Sequence, residues 1–196
     1  VPGDVITCVM TLTGCLNNSY TSDSITIFAP VPSTSTAFYI QTVANDAGCI
    51  LAGEEVVWRF TTPDNASRIQ TTGNSLQKVL INGWNAGAIS HHQLVNNSYL
   101  EFIATETNKS RIAGLSNSYT GSGMADVKFG IYLQSSGVFN VYEAGVNRGV
   151  FGNYAANDTF RVAVEAGVVK YYKNRIWFYS SNVSMVLPIY ASVVLN

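Results

Sequence analysis

The chain has 196 residues, a formal net charge of −1, and 12% charged against 47% hydrophobic residues. Near-neutrality excludes the basic footprint that nucleic acid or an acidic membrane surface requires. Soluble domains usually carry roughly 25% charged residues, so Ser, Thr, Asn, Gln and Tyr must supply the polar surface, as in exported β-rich proteins.

Residues 1–53 stand apart. They hold all three cysteines, Cys8, Cys15 and Cys49, and three of the five prolines, Pro2, Pro30 and Pro32. Two apolar stretches, VITCVMTL (5–12) and ITIFAPV (25–31), precede a polar link at 33–36 and a strand predicted over 38–43. So short a segment buries too little apolar surface to fold alone, and must pack on a sandwich, its own or a neighbour's. The cysteine spacing is no zinc pattern, lacking both C-x-x-C and a nearby histidine. In an oxidising compartment two of the three are disulfide candidates, and the third thiol is left over.

From residue 54 onward, apolar residues recur with period two between Gly, Asn and Ser, the pattern of half-buried strands. Glu54-Glu55 reads as a charged loop. Strands are predicted at 56–60, 88–94, 99–105 and 112–115, then at 127–134 and 138–143 around Ser135-Ser136-Gly137. The clearest run is FRVAVEAGVVKYYKNRIWFYSS (160–181), where Phe160, Val162 and Val164 alternate with Arg161, Ala163 and Glu165. Ala166-Gly167 and Asn174-Arg175 form its two tight turns, although type I′ geometry favours Gly where Arg175 stands. A strand over 187–195 ends the chain. With helix signals nearly absent, the expectation is an all-β fold. It is an antiparallel two-sheet jelly-roll sandwich over 54–196, behind a β-rich extension over 1–53.

The compartment follows from other signals. The chain starts at Val1 rather than Met, as expected after signal-peptide removal, and no apolar run approaches the ~20 residues that span a bilayer. N-x-S/T sequons occur at Asn17, Asn65, Asn96, Asn108, Asn157 and Asn182, about twice the chance number, and each is a glycosylation candidate. An extracellular or cell-surface glycoprotein is expected.

Six phrases then carry a resemblance: GWNAGAIS (83–90), YLEFIA (99–104), AGLSN (113–117), VYEAG (141–145), NYAANDTFRVAVEAGVVKYYKN (153–174) and LPIYASVVL (187–195). In this order they resemble exported modules with a concanavalin A-like sandwich, of the lectin and glucanase type, over about residues 57–195. The resemblance implies an extracellular β-sandwich, often in polysaccharide-rich settings, and no known active site. Two departures stand out. His91-His92 replaces a small polar residue followed by Gln, and Asn157 and Arg175 stand where many members have Gly.

No constellation for chemistry emerges. The only two histidines, His91 and His92, are adjacent on a strand and so point to opposite faces, which bars joint metal chelation. Glu101, Glu143 and Glu165 are lone acids on different strands and read as solvent-face residues. Glycoside hydrolysis needs paired carboxyl groups, and no paired-acid, nucleophile-elbow or phosphate-loop motif is present. Asp126 and Asp158 are single acids near turns, short of the clustered oxygens that calcium takes. No catalytic residue, metal or cofactor is expected, and the chain reads as a non-enzyme. Aromatic rings remain: Trp84, Trp177, Tyr132, Tyr142, Tyr154, Tyr171, Tyr172 and Tyr179 can offer stacking surfaces to sugar rings, with Trp84, Tyr142, Tyr154 and Trp177 the leading candidates.

Two functions fit. The favoured one is a structural or adhesive glycoprotein whose partners are copies of itself, assembling through residues 1–53, even into filaments. The alternative is a lectin-like module that binds polysaccharide or cell-surface glycans.

Overall fold

The structure, a computed structural model, describes residues 36–41, 54–60, 62–79, 83–94, 97–118 and 123–196. Cys8, Cys15, Cys49, both early apolar stretches, and the sequons at Asn17 and Asn96 lie outside the described residues.

Alternation becomes strand throughout. In chain order these are β1 (Thr36–Gln41), β2 (Glu54–Glu55), β3 (Trp58–Arg59), β4 (Ile69–Thr72), β5 (Ser75–Lys78) and β6 (Ala86–Leu94). There follow β7 (Ser98–Ile103), β8 (Arg111–Ser116), β9 (Phe129–Leu133), β10 (Val138–Glu143) and β11 (Val146–Asn153). The last four are β12 (Thr159–Glu165), β13 (Val168–Lys173), β14 (Ile176–Ser180) and β15 (Ile189–Leu195). One sheet runs β14-β13-β12-β7-β1-β5-β4, with β2 paired to β1, and the other β11-β10-β9-β8-β15-β6-β3. All pairings are antiparallel. The fold is an all-β jelly-roll sandwich.

β1 belongs to the 1–53 segment, yet it is bonded to β7 on one side and to β5 and β2 on the other. Glu54-Glu55 is thus paired strand rather than loop. Four further elements escaped the period-2 pattern. A single helical turn, α1 (Pro63–Arg68), starts where Thr62 Oγ1 accepts from the Asn65 amide at 3.2 Å and Pro63 supplies a ready-made φ. The β4–β5 hairpin is too polar to show alternation. In β11, Gly149 and Gly152 hold φ of 127° and 137°, so the run VNRGVFGN has no period.

The tight turns are left-handed at both positions, as type I′ hairpins need: Ala166 (49°) with Gly167 (79°), and Asn174 (50°) with Arg175 (66°). Arg175 therefore takes the strained conformation itself. Between the sheets, Phe160 lies 5.7 Å from the Phe102 ring and 5.2 Å from that of Phe139 on the opposite sheet. Gly114 is fixed by close approach. A β-carbon there would sit 1.9 Å from the Phe129 carbonyl oxygen on β9.

Candidate functional site

Phe160, Val162 and Val164 are fully buried, so Arg161, Ala163 and Glu165 of β12 face away from the core. The register extends that outer face across the eight-stranded sheet in two rows. One row aligns Tyr39, Glu101, Arg161, Tyr172 and Trp177, and the next aligns Gln41, Tyr99, Ala163, Lys170 and Ser180. Three strand spacings, ~14 Å, separate Glu101 from Trp177.

Trp177 dominates the face. It is 57% exposed, unusual for so large an apolar ring, and its indole nitrogen donates to Ser180 Oγ at 3.1 Å, which fixes the ring. A shift in register between Tyr171 and Tyr172 brings Trp177 opposite Tyr172. The Tyr172 hydroxyl donates to Glu165 Oε1 at 2.7 Å. Partial burial, with that hydrogen bond and the carboxylate charge, pushes the phenol up to about 12. Burial alone would raise Glu165, but hydrogen bonds from Lys170 and Tyr172 outweigh it and hold its carboxyl below the usual value. Arg161 Nε and Nη2 both donate to Glu101 Oε2, at 2.9 and 2.6 Å, and the guanidinium lies 3.7 Å from the Tyr99 ring centroid. The result is a preformed surface of aromatic rings, hydroxyls and paired charges.

The four aromatic candidates separate. Trp177 lies on this face. Trp84 and Tyr142 lie on the outer face of the other sheet, joined through Tyr132 by edge-to-face contacts of 5.4 and 5.6 Å, over buried Ile112, Val127 and Val194. Both are half-buried, each packed against Tyr132 between them. Tyr154 is 6% exposed and donates to the Gln134 and Thr107 carbonyls, so it offers no face to a ligand. Tyr172 also lies on this face, and Tyr99, absent from the candidate residues, could have been found from the period-2 pattern, which puts it on one face with Arg161.

Other candidates also fall into place. His91 and His92 do not point to opposite faces. A register shift against β15 sets three residues of β6 opposite Ala191, so both imidazoles are exposed with ring centroids 5.4 Å apart. Glu101 and Glu165 do face outward, whereas Glu143 is 1% exposed and faces the core. Among the described residues, no group of three or more His, Cys, Asp or Glu gathers for a metal ion. No described helix is long and apolar enough to cross a membrane. Of the sequons, Asn108, Asn157 and Asn182 are exposed, while Asn65 is 2% exposed and its Oδ1 accepts from the Gly87 amide at 3.4 Å.

No protein-family profile and no curated protein matches the chain. Among solved structures it is similar to an alginate lyase of polysaccharide lyase family 7. Identity is 13% and TM-score 0.43, over 81% of this chain and 82% of that one. It is also similar to the carbohydrate-binding module CBM66 from Bacillus subtilis, at 12% identity and TM-score 0.22, over 55% of this chain and 78% of that one. The first similarity is to an enzyme, and it corrects the expectation of a non-enzyme.

Proposed function

We propose that the chain is a carbohydrate-binding module of an exported or cell-surface protein, and that it holds saccharide on the outer face of the eight-stranded sheet. The observation that carries this reading is Trp177, exposed at 57% yet fixed by Ser180, and aligned with Tyr172 on the outer sheet face. Pyranose rings present C–H faces that pack on indole and phenol, and the ring needs no ordering on binding because Ser180 already fixes it. Glu101, Arg161, Glu165 and Lys170 surround the rings with hydrogen-bond donors and acceptors for sugar hydroxyls. The low charge content and the six sequons support the exported setting.

Self-association through residues 1–53 has no observation in its favour, and β1 pairs within its own sheet. The test is fluorescence titration of the full chain with a panel of oligosaccharides. Saturable quenching is expected in the natural protein and none in Trp177→Ala, which keeps Trp58 and Trp84 as reporters. Equal quenching in both forms would remove this face from the reading.

A further inference from the structure

The charges beside Trp177 decide which saccharides suit the face, an inference that rests on the carbohydrate-binding reading above. Beside Trp177 and Tyr172 on this face stand the charged side chains of Glu101, Arg161, Glu165 and Lys170. They close into two ion pairs: Arg161 Nη2 lies 2.6 Å from Glu101 Oε2, and Lys170 Nζ 2.8 Å from Glu165 Oε2. The flat side of Arg161 is stacked on Tyr99, and Glu165 takes a second hydrogen bond from Tyr172.

A uronate or sulfate group is recognised by Arg or Lys donors free to engage it, above all by a bidentate guanidinium fork. Here both cations already serve carboxylates, and a bound anion would have to break a pair and leave a glutamate facing it. Sugar hydroxyls face no such penalty, since each donates to a carboxylate and accepts from an ammonium or guanidinium without disturbing the pair. We propose that this face is a binding site for neutral glycans, chains of uncharged hexoses stacked on Trp177 and Tyr172, and that it rejects polyuronates and sulfated polysaccharides.

The experiment uses the full chain, the Trp177→Ala variant and the Trp177→Phe variant, which keeps an apolar ring. Each is measured by calorimetry against neutral hexaoses of glucose and of mannose, and against alginate and polygalacturonate oligomers, at low and at high salt. Binding of a neutral oligomer is expected to be insensitive to salt, about tenfold weaker in Trp177→Ala, and largely kept in Trp177→Phe. Trp177-dependent binding of alginate or polygalacturonate that falls with salt would overturn the neutral-glycan assignment and leave the carbohydrate-binding reading standing. Absence of Trp177-dependent binding to every oligomer, with the natural protein folded, would overturn both.

Discussion

Tyr171 donates a hydrogen bond across the sandwich to Glu143, Oη to Oε1 at 3.0 Å, and so ties β13 of one sheet to β10 of the other. Glu143 is 1% exposed, and its second oxygen accepts from Arg148 Nε at 2.9 Å. A carboxylate taken out of water needs a partner for its charge and for its lone pairs. Arg148 meets the first need and Tyr171 the second.

Removing either partner should therefore be costly. Arg148→Ala leaves a buried carboxylate uncompensated and is expected to cost about 3 kcal/mol. Tyr171→Phe leaves the charge paired but one oxygen short of a donor, at about 1–3 kcal/mol. Asp64→Ala is the control. It breaks the Arg68–Asp64 pair, where Asp64 is 74% exposed, and should cost less than about 0.5 kcal/mol. Urea denaturation of the three variants checks the order, and equal effects from Arg148→Ala and Asp64→Ala would refute the account.

Tyrosine burial sets the alkaline limit. Tyr171 is held well above its ordinary value of 10.0, first by burial and then by the Glu143 charge and hydrogen bond. Tyr172 is pushed up to about 12 by partial burial and Glu165. In each case the unfolded chain loses its proton first. The stability is thus full below pH 10, falls as pH rises toward 12, and continues to fall until Tyr171 ionises. Absorbance titration should show a subset of phenols ionising only as the sandwich unfolds. If every tyrosine ionised near pH 10 in a still-folded protein, the buried Tyr171–Glu143 bond would not exist.

How far the sequence reveals all this varies by element. The β12–β13–β14 hairpins are legible, because Phe160, Val162 and Val164 alternate with polar residues and Ala166-Gly167 suits a type I′ turn. β11 is not, because its left-handed glycines and two register shifts against β10 break the period. Glu143 misleads for another reason. A local pattern marks an acid as surface, and only tertiary contact supplies Tyr171 from the other sheet. The candidate face is half visible. Alternation puts Arg161, Lys170 and Tyr172 together, but no pattern ranks exposure, so Trp177 and the buried Tyr154 look equivalent in sequence.

β1 offers a test of where the sandwich begins. Its six residues, Thr36–Gln41, come from the segment expected to lie outside the sandwich, yet they separate β7 from β5. A chain lacking residues 1–53 loses this strand and leaves the paired edge of β7 without its backbone partners. A chain lacking only 1–35 keeps it. Thermal unfolding should be cooperative in the shorter truncation and weakened by more than about 2 kcal/mol, or lost, in the longer one. Equal melting of the two would show that β1 contributes nothing to the sheet.

The sequons differ in the same structural way, although their sequences are equivalent. An attached glycan must leave the asparagine nitrogen pointing into water. Asn157, in a turn with φ of 73°, and Asn108 and Asn182 are exposed, and each can carry one without displacing a neighbour. Asn65 is 2% exposed within α1 and hydrogen-bonded to the start of β6 through Gly87. A glycan there would force the helix off the sheet. Expression in a glycosylating host followed by site-resolved mass spectrometry should find occupancy at Asn157 or Asn182 and none at Asn65. Substituting Asn65 by Ala should also destabilise the fold, whereas Asn182→Gln, and at the left-handed turn Asn157→Gly, should leave it unchanged. Full occupancy of Asn65 on a folded chain would mean that α1 does not pack as described.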